Sequence, residues 1–371
     1  MKKRVLIYAY LEGNLGDDLM VYTLCRRYPE IQFEVLAHQE YKKRFRELTN
    51  LKVYGFDDRK VRIWNQYLRK LTSKKDDFFC RLVKKAYALV HIGGSVYTQH
   101  ENYQATYFND ITLRNISKRM FVCGANFGPY QDESYYENYQ GLLSRYDGVC
   151  FRDQYSYELF KHLPCVRYAP DVVFNYRECS RENALKEKKL VLVSVIQMKN
   201  RKGNFPISQY TENYQRFMAE ILEKYVDHGY RIRFVAFCKA QGDEDAAKEI
   251  VNRMRETSRQ YIEEYVYDDD IEEAVRQFDE AEVVIGTRFH SVILGWLKGK
   301  KVIPVIYDQK TLHTLEDVNW TNYVTLPELE TTDIDKLMEE AKRLPEDTLE
   351  QLVEKAAGQF ADLDKVFYKE K

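Results

Sequence analysis

Short apolar, β-branched runs alternate with amphipathic stretches from one end of this chain to the other. That alternation predicts an α/β fold on parallel sheets, whose strands are buried on both faces and read as continuous apolar runs. In the first half, strands are predicted at 4–10, 33–37, 87–92, 120–124 and 148–151, with helical spacing between them. The stretch 176–189 is polar and has no hydrophobic period, so the domain boundary is placed there. A second series follows, with strands at 190–196, 232–237, 261–267, 282–285 and 302–306 and helices near 208–228, 243–257, 269–281, 291–298 and 334–343. The piece 170–174 also reads as strand-like, with Asp171 near its start. The expectation is two Rossmann-like domains, 1–180 and 181–350, facing a cleft. The helical spacing near the end suggests a helix in 351–371 that packs back on the first domain.

Folds of this kind carry their chemistry on loops at the C-terminal ends of strands. The most informative is Val283-Val284-Ile285-Gly286-Thr287-Arg288-Phe289-His290-Ser291, a buried strand, a glycine turn and a helix start. A helix start favours anions, and a fixed cation beside a titratable imidazole suits a small dianion that must be held and protonated. Arg288 and His290 are two apart, so an extended or turn backbone would project them to one side, whereas a helix would not. The plainer reading is a surface arginine and a capping histidine. The first strand leads into Gly13-Asn14-Leu15-Gly16-Asp17-Asp18, where the glycines permit a turn and Asp17 or Asp18 can cap the helix. This is not a dinucleotide fingerprint; Asn14 and Asp17 suit sugar hydroxyls or a base role better than phosphate. Gly93 and Gly94 close another buried strand, and His91 within it reads as a satisfied core histidine. Arg152 stands where a strand passes into a helix, and Lys310 lies just past the strand 302–306. No zinc-spaced Cys/His set, Walker loop or G-x-S-x-G sequence occurs, so no metal or serine nucleophile is expected.

The net charge of −1 conceals an asymmetry: 28 Lys and Arg against 21 Asp and Glu in residues 1–180, but 29 against 37 in the rest. The basic half points to an anionic partner, and no nucleic-acid module accompanies it. The seven cysteines include no C-x-x-C pair and read as reduced, buried hydrophobes of a cytoplasmic protein. The basic start lacks a cleavable secretion signal, and no apolar run approaches membrane-span length. Residues 59–75 carry seven basic side chains, with Val61, Trp64, Leu68 and Leu71 as an apolar stripe. They form either a packed surface helix or a peripheral contact with the inner face of a membrane. The 30 tyrosines, many between 97 and 157, read mostly as surface residues.

Taken in order, Gly13-Asn14-Leu15-Gly16-Asp17, Gly93-Gly94, Arg152-Asp153 with Ser156, Pro170-Asp171-Val172, Gly286-Thr287-Arg288-Phe289-His290, and Tyr307 with Lys310 resemble the polysaccharide pyruvyl transferase family. Phe289 stands where leucine is usual. The resemblance implies a GT-B-like fold with an N-terminal acceptor side and a C-terminal donor side. It implies transfer of a pyruvyl group from phosphoenolpyruvate, a co-substrate, to a saccharide acceptor as a ketal, with no cofactor. The family's arginine-x-histidine pair matches Arg288 and His290 as catalytic residues. Gly286, Thr287, Arg152 and Lys310 fall to donor binding, and Asn14, Asp17, Asp171, Gly93 and Gly94 to the acceptor or base. The basic first half favours a lipid-linked acceptor. Two rivals are a GT-B glycosyltransferase using a nucleotide sugar and a catalytically silent scaffold in a glycan-assembly complex.

Overall fold

A computed structural model describes residues 3–71, 77–176, 189–199 and 206–368. The described chain forms two compact units. The first comprises residues up to Leu11, Asp17–Asn175 and the chain from Lys355; the second comprises Glu12–Gly16 and Tyr176–Glu354.

In the first unit a seven-stranded sheet runs β3-β2-β1-β4-β5-β6-β7 and is parallel throughout. Its strands are β1 Arg4–Tyr8, β2 Gln32–Ala37, β3 Leu51–Gly55, β4 Ala88–Ile92, β5 Met120–Ala125, β6 Gly148–Phe151 and β7 Val166–Tyr168. Sequence pattern marks the five inner strands because both their faces are buried. It misses β3 and β7, which sit at the sheet edges and are half-buried, β7 with only three residues. The piece 170–174 is not a strand. Asp171 Oδ1 accepts the Val173 amide at 2.8 Å and turns the chain into the 3₁₀ helix Val172–Asn175. The C-terminal segment is fastened to this unit by directional bonds as well as packing. Gln359 accepts from the Gly124 amide and donates to the Ala169 carbonyl, both at 2.7 Å, while Asp364 accepts from the Tyr28 hydroxyl at 2.7 Å.

The second unit repeats the plan in the order β10-β9-β8-β11-β12-β13, with β14 antiparallel to β12. Here β8 is Leu190–Ser194, β9 Arg231–Ala236, β10 Ile262–Val266, β11 Val283–Gly286, β12 Lys301–Ile306, β13 Val324–Thr325 and β14 Lys342–Arg343. The two-residue strands β13 and β14 carry no period to detect, and β14 shortens the helix expected at 334–343 to Ile334–Glu339. The order reverses between β8 and β11, which makes the C-terminal ends of those strands a topological switch point.

Half of the tyrosines between 97 and 157 are core, contrary to the surface reading. Tyr97, Tyr103, Tyr135, Tyr139 and Tyr146 are buried, and Tyr97 and Tyr107 each meet the Tyr139 ring edge-on at 5.1 and 5.3 Å. Asp110 is sealed among them, with Oδ2 accepting from the Tyr139 hydroxyl at 3.1 Å and Oδ1 lacking a donor among the described residues. Burial pushes its carboxyl up to about 7. His91 is a core histidine packed 4.4 Å from Tyr8, but it is not fully satisfied. Its Nδ1 has no hydrogen-bond partner among the described residues, and burial lowers the imidazole to about 3. The described cysteines are free and all but one buried; Cys179 and residues 72–75 lie outside the described residues.

Because the folded state raises the Asp110 carboxyl, its neutral form costs nothing below the unfolded value, and stability is lost as pH climbs through about 7. Asp110→Asn keeps the tyrosine bond and never ionises. Its stability relative to wild type should therefore grow by about 2–3 kcal/mol between pH 5 and pH 8. Urea unfolding at the two pH values measures this; a difference that stays flat would show that the carboxyl ionises freely in the folded state.

Candidate functional site

Arg288 and His290 follow the end of β11 in the second unit. The strand stops at Gly286, where a Cβ would collide with Ser291 and Val292. Four short bonds then set the turn. Thr287 N–H donates to the Ser194 carbonyl at 3.0 Å, Arg288 N–H to the Ser194 hydroxyl at 3.2 Å, Ser291 Oγ to the Arg288 carbonyl at 2.7 Å, and the Thr287 and Tyr214 hydroxyls meet at 2.8 Å. The helix Phe289–Leu297 begins two residues earlier than the pattern suggests. Arg288 is its extended N-cap and His290 lies in its first turn, so the alternation argument fails and the two side chains find different surroundings.

Arg288 is buried and turns toward the end of β9. Its Nε donates to Asp243 Oδ2 at 3.0 Å, Nη2 pairs with Asp243 Oδ1, and Nη1 donates to Gln241 Oε1 at 2.6 Å. Asp243 Oδ2 also accepts the Phe237 and Cys238 amides, both at 3.0 Å. Burial works against the guanidinium charge, but Asp243 outweighs it and holds the group above its ordinary value. Of the five N–H groups of a guanidinium, these bonds use three. Neither Asp243 nor Gln241 was found from the sequence, where Gly242-Asp243 shows only as a helix start; the faint signal is an acid directly after a glycine at that start.

His290 is buried and faces the glycine loop Glu12–Gly16, which belongs to the same unit. A Cβ at position 16 would overlap the imidazole, so Gly16 is glycine to admit His290, while Gly13, at φ 76°, makes the turn. The loop is tied to the end of β9 by Leu15 N–H to the Phe237 carbonyl at 3.0 Å. The side chain that caps the following helix is Asn14, whose Oδ1 accepts the Gly16 amide at 2.9 Å. Asp18 instead lies buried against Tyr41 and Arg44, and Asp17 is half-buried in the first helical turn.

Lys310 sits beyond β12, 3.1 Å from Asp308, which caps the helix Gln309–Asp317 through the Thr311 amide. Burial alone would raise the Asp308 carboxyl, yet Lys310 and Thr311 hold it below the ordinary value. Beside Gln241 opens a cavity of about 780 Å³ whose polar wall includes Gln197, Lys199, Lys239 and Lys248. Among the described residues no group of three or more His, Cys, Asp or Glu side chains is placed to hold a metal ion.

Four further candidates lie in the first unit. Arg152, at the end of β6, donates to Asp171 Oδ2 at 2.9 Å and to Asn126 Oδ1 at 2.8 Å, all three buried. Gly94 gives the guanidinium room, since a Cβ there would lie 2.5 Å from Nη1. Gly93 is held by its amide to the Cys123 carbonyl at 3.3 Å.

Solved structures with this architecture include HepE of Anabaena in complex with UDP and glucose (TM-score 0.55, 11% identity, 99% of this chain and 96% of that one). MnaA of S. aureus, solved with UDP, matches at TM-score 0.55 and 11% identity over 100% and 97% of the two chains. UGT89C1 of Arabidopsis thaliana, complexed with UDP-L-rhamnose, matches at 0.53 and 13% over 100% and 99%. These identities speak to the fold, a two-domain α/β arrangement of the GT-B kind. A sequence profile of polysaccharide pyruvyl transferases matches residues 14–309, from the glycine loop past the β11 turn to the residue before Lys310. On that span the chain belongs to the polysaccharide pyruvyl transferase family.

Proposed function

We propose that the chain moves a pyruvyl group from phosphoenolpyruvate onto two hydroxyls of a sugar in a cell-surface polysaccharide or its precursor, closing a cyclic ketal. The carrying observation is that Arg288 stands at a helix start, fixed by a buried carboxylate. A carboxylate or phosphate is what such a fork and helix end recognise. Lys310 supplies the second cation, and Gly286 and Thr287 shape the turn on which the donor rests. Arg152, already balanced by Asp171, is a secondary cation.

In this reading protonated His290 delivers its proton to the methylene carbon of the enol phosphate, leaving an oxocarbenium ion at the central carbon. One sugar hydroxyl adds there and gives up its proton. The carbon–oxygen bond to phosphate breaks with Arg288 and Lys310 taking the charge, and the second hydroxyl closes the ketal. Asp17 is the better base of the two carboxylates considered, because Asp171 is buried with Val173 N–H and Arg152 on its oxygens. Asn14, Gly93 and Gly94 remain on the acceptor side. The reaction needs no cofactor, and the site is assigned to the cytoplasmic face, where lipid-linked acceptors are assembled.

His290→Ala should lower turnover by about 10²–10⁴-fold while phosphoenolpyruvate still stabilises the variant against heat. Mass spectrometry of lipid-linked saccharides incubated with enzyme and donor reads the first quantity, and unchanged turnover would refute the assignment. Stabilisation of the wild type by UDP- or GDP-sugars but not by phosphoenolpyruvate would favour a glycosyltransferase instead. Asp243→Asn should cost roughly 3–5 kcal/mol in urea unfolding because it strands a buried guanidinium, and Arg288→Met in the same chain should recover much of that loss. Equal losses in the single and double variants would mean that the pair is not coupled.

A further inference from the structure

The helix Arg59–Leu71 of the first unit presents side chains that its packing does not explain. It buries Val61, and Trp64 is covered by the Arg81 guanidinium 3.5 Å from the ring centroid. On the side away from Val61, Ile63 and Tyr67 stand one turn apart, 52% and 55% exposed, with Arg59 a further turn back. Phe56, just before the helix, is 46% exposed. Three of the eight exposed large hydrophobic side chains among the described residues thus fall between positions 56 and 67. Arg59, Lys60 and Arg62 flank them, all exposed and none in an ion pair among the described residues. Of the two acids at the helix start, Asp58 is bound by Lys42 at 2.5 Å, which leaves Asp57 as the counter-charge.

We propose that this outward face docks on an anionic lipid surface. Phe56, Ile63 and Tyr67 reach the boundary between headgroups and acyl chains, and Arg59, Lys60 and Arg62 lie among the headgroup phosphates. Apolar tips ringed by uncompensated cations are what an interfacial helix presents, and water alone disfavours that combination. The excess of basic residues in 1–180 extends the same attraction. Among the described residues no helix is long and apolar enough to cross a membrane, so the contact is peripheral. It is weak and reversible, because few side chains insert. The proposal stands without the transferase reading, although it would bring such an enzyme to a lipid-linked acceptor.

The test is co-sedimentation of the full chain with extruded vesicles of phosphatidylglycerol and phosphatidylethanolamine, against vesicles of phosphatidylcholine alone. The wild type should pellet with the anionic vesicles only and be released at about 0.5 M salt. I63S/Y67S and R59Q/K60Q/R62Q should each weaken vesicle affinity by about tenfold with an unchanged melting temperature, since the altered side chains face solvent. Failure of the wild type to pellet, or wild-type binding by both variants, would overturn the proposal. So would a dimer in light scattering that I63S/Y67S abolishes, which would make the face an interface between copies of the chain.

Discussion

The second unit is organised around one buried ion pair, Arg288 with Asp243. A lone guanidinium at the end of β11 would pay a heavy desolvation cost, and a lone carboxylate at the end of β9 would do the same. Together, with the Phe237 and Cys238 amides on the carboxylate and Gln241 on the guanidinium, they become affordable and immobile. Immobility is what the chemistry requires. A cation that has given up its rotamer freedom on folding does not give it up again on meeting an anionic ligand.

The first unit uses the same device independently. Arg152 leaves the end of β6 as Arg288 leaves the end of β11, and each is met by a buried carboxylate from a neighbouring segment. In both places glycine removes the one atom in the way: Gly94 beside the Arg152 guanidinium, Gly16 beside the His290 ring. Paired charges and missing side chains thus position the polar groups of each unit, while the parallel sheets supply rigid strand ends from which they start. The tyrosine core of the first unit applies the opposite economy. Its phenols fill space as hydrophobes and leave Asp110 and the Nδ1 of His91 poorly compensated. Their charge states shift accordingly, toward the neutral carboxyl and the neutral imidazole.

The legible part of the fold was the part written in period and composition. Nine inner strands betrayed themselves because burial on both faces demands continuous β-branched runs, the half-buried edge strand β10 was read beside them, and the glycine and Arg-x-His segments stood out because strand-end loops carry residue types that cores reject. The edge strands β7, β13 and β14 stayed hidden because two or three residues are too few to show a pattern, and β3 because it is half-buried, with Gly55 as its one buried residue. Asp171 misled in the same way, since whether its carboxylate turns back on the Val173 amide is settled by what surrounds it.

By itself, then, the chain's order of residues determined the α/β class, the two-series plan and the identity of Arg288, His290, Arg152 and Lys310 as residues worth placing. It did so because local period and strand-end chemistry are properties of neighbours along the chain. Only the tertiary structure decided that Arg288 answers to Asp243, that Gly16 exists for His290 some 270 positions away, that Tyr97, Tyr135 and Tyr139 face inward and that Ile63 and Tyr67 face out. Those are contacts between segments remote in sequence, fixed by sheet order and burial.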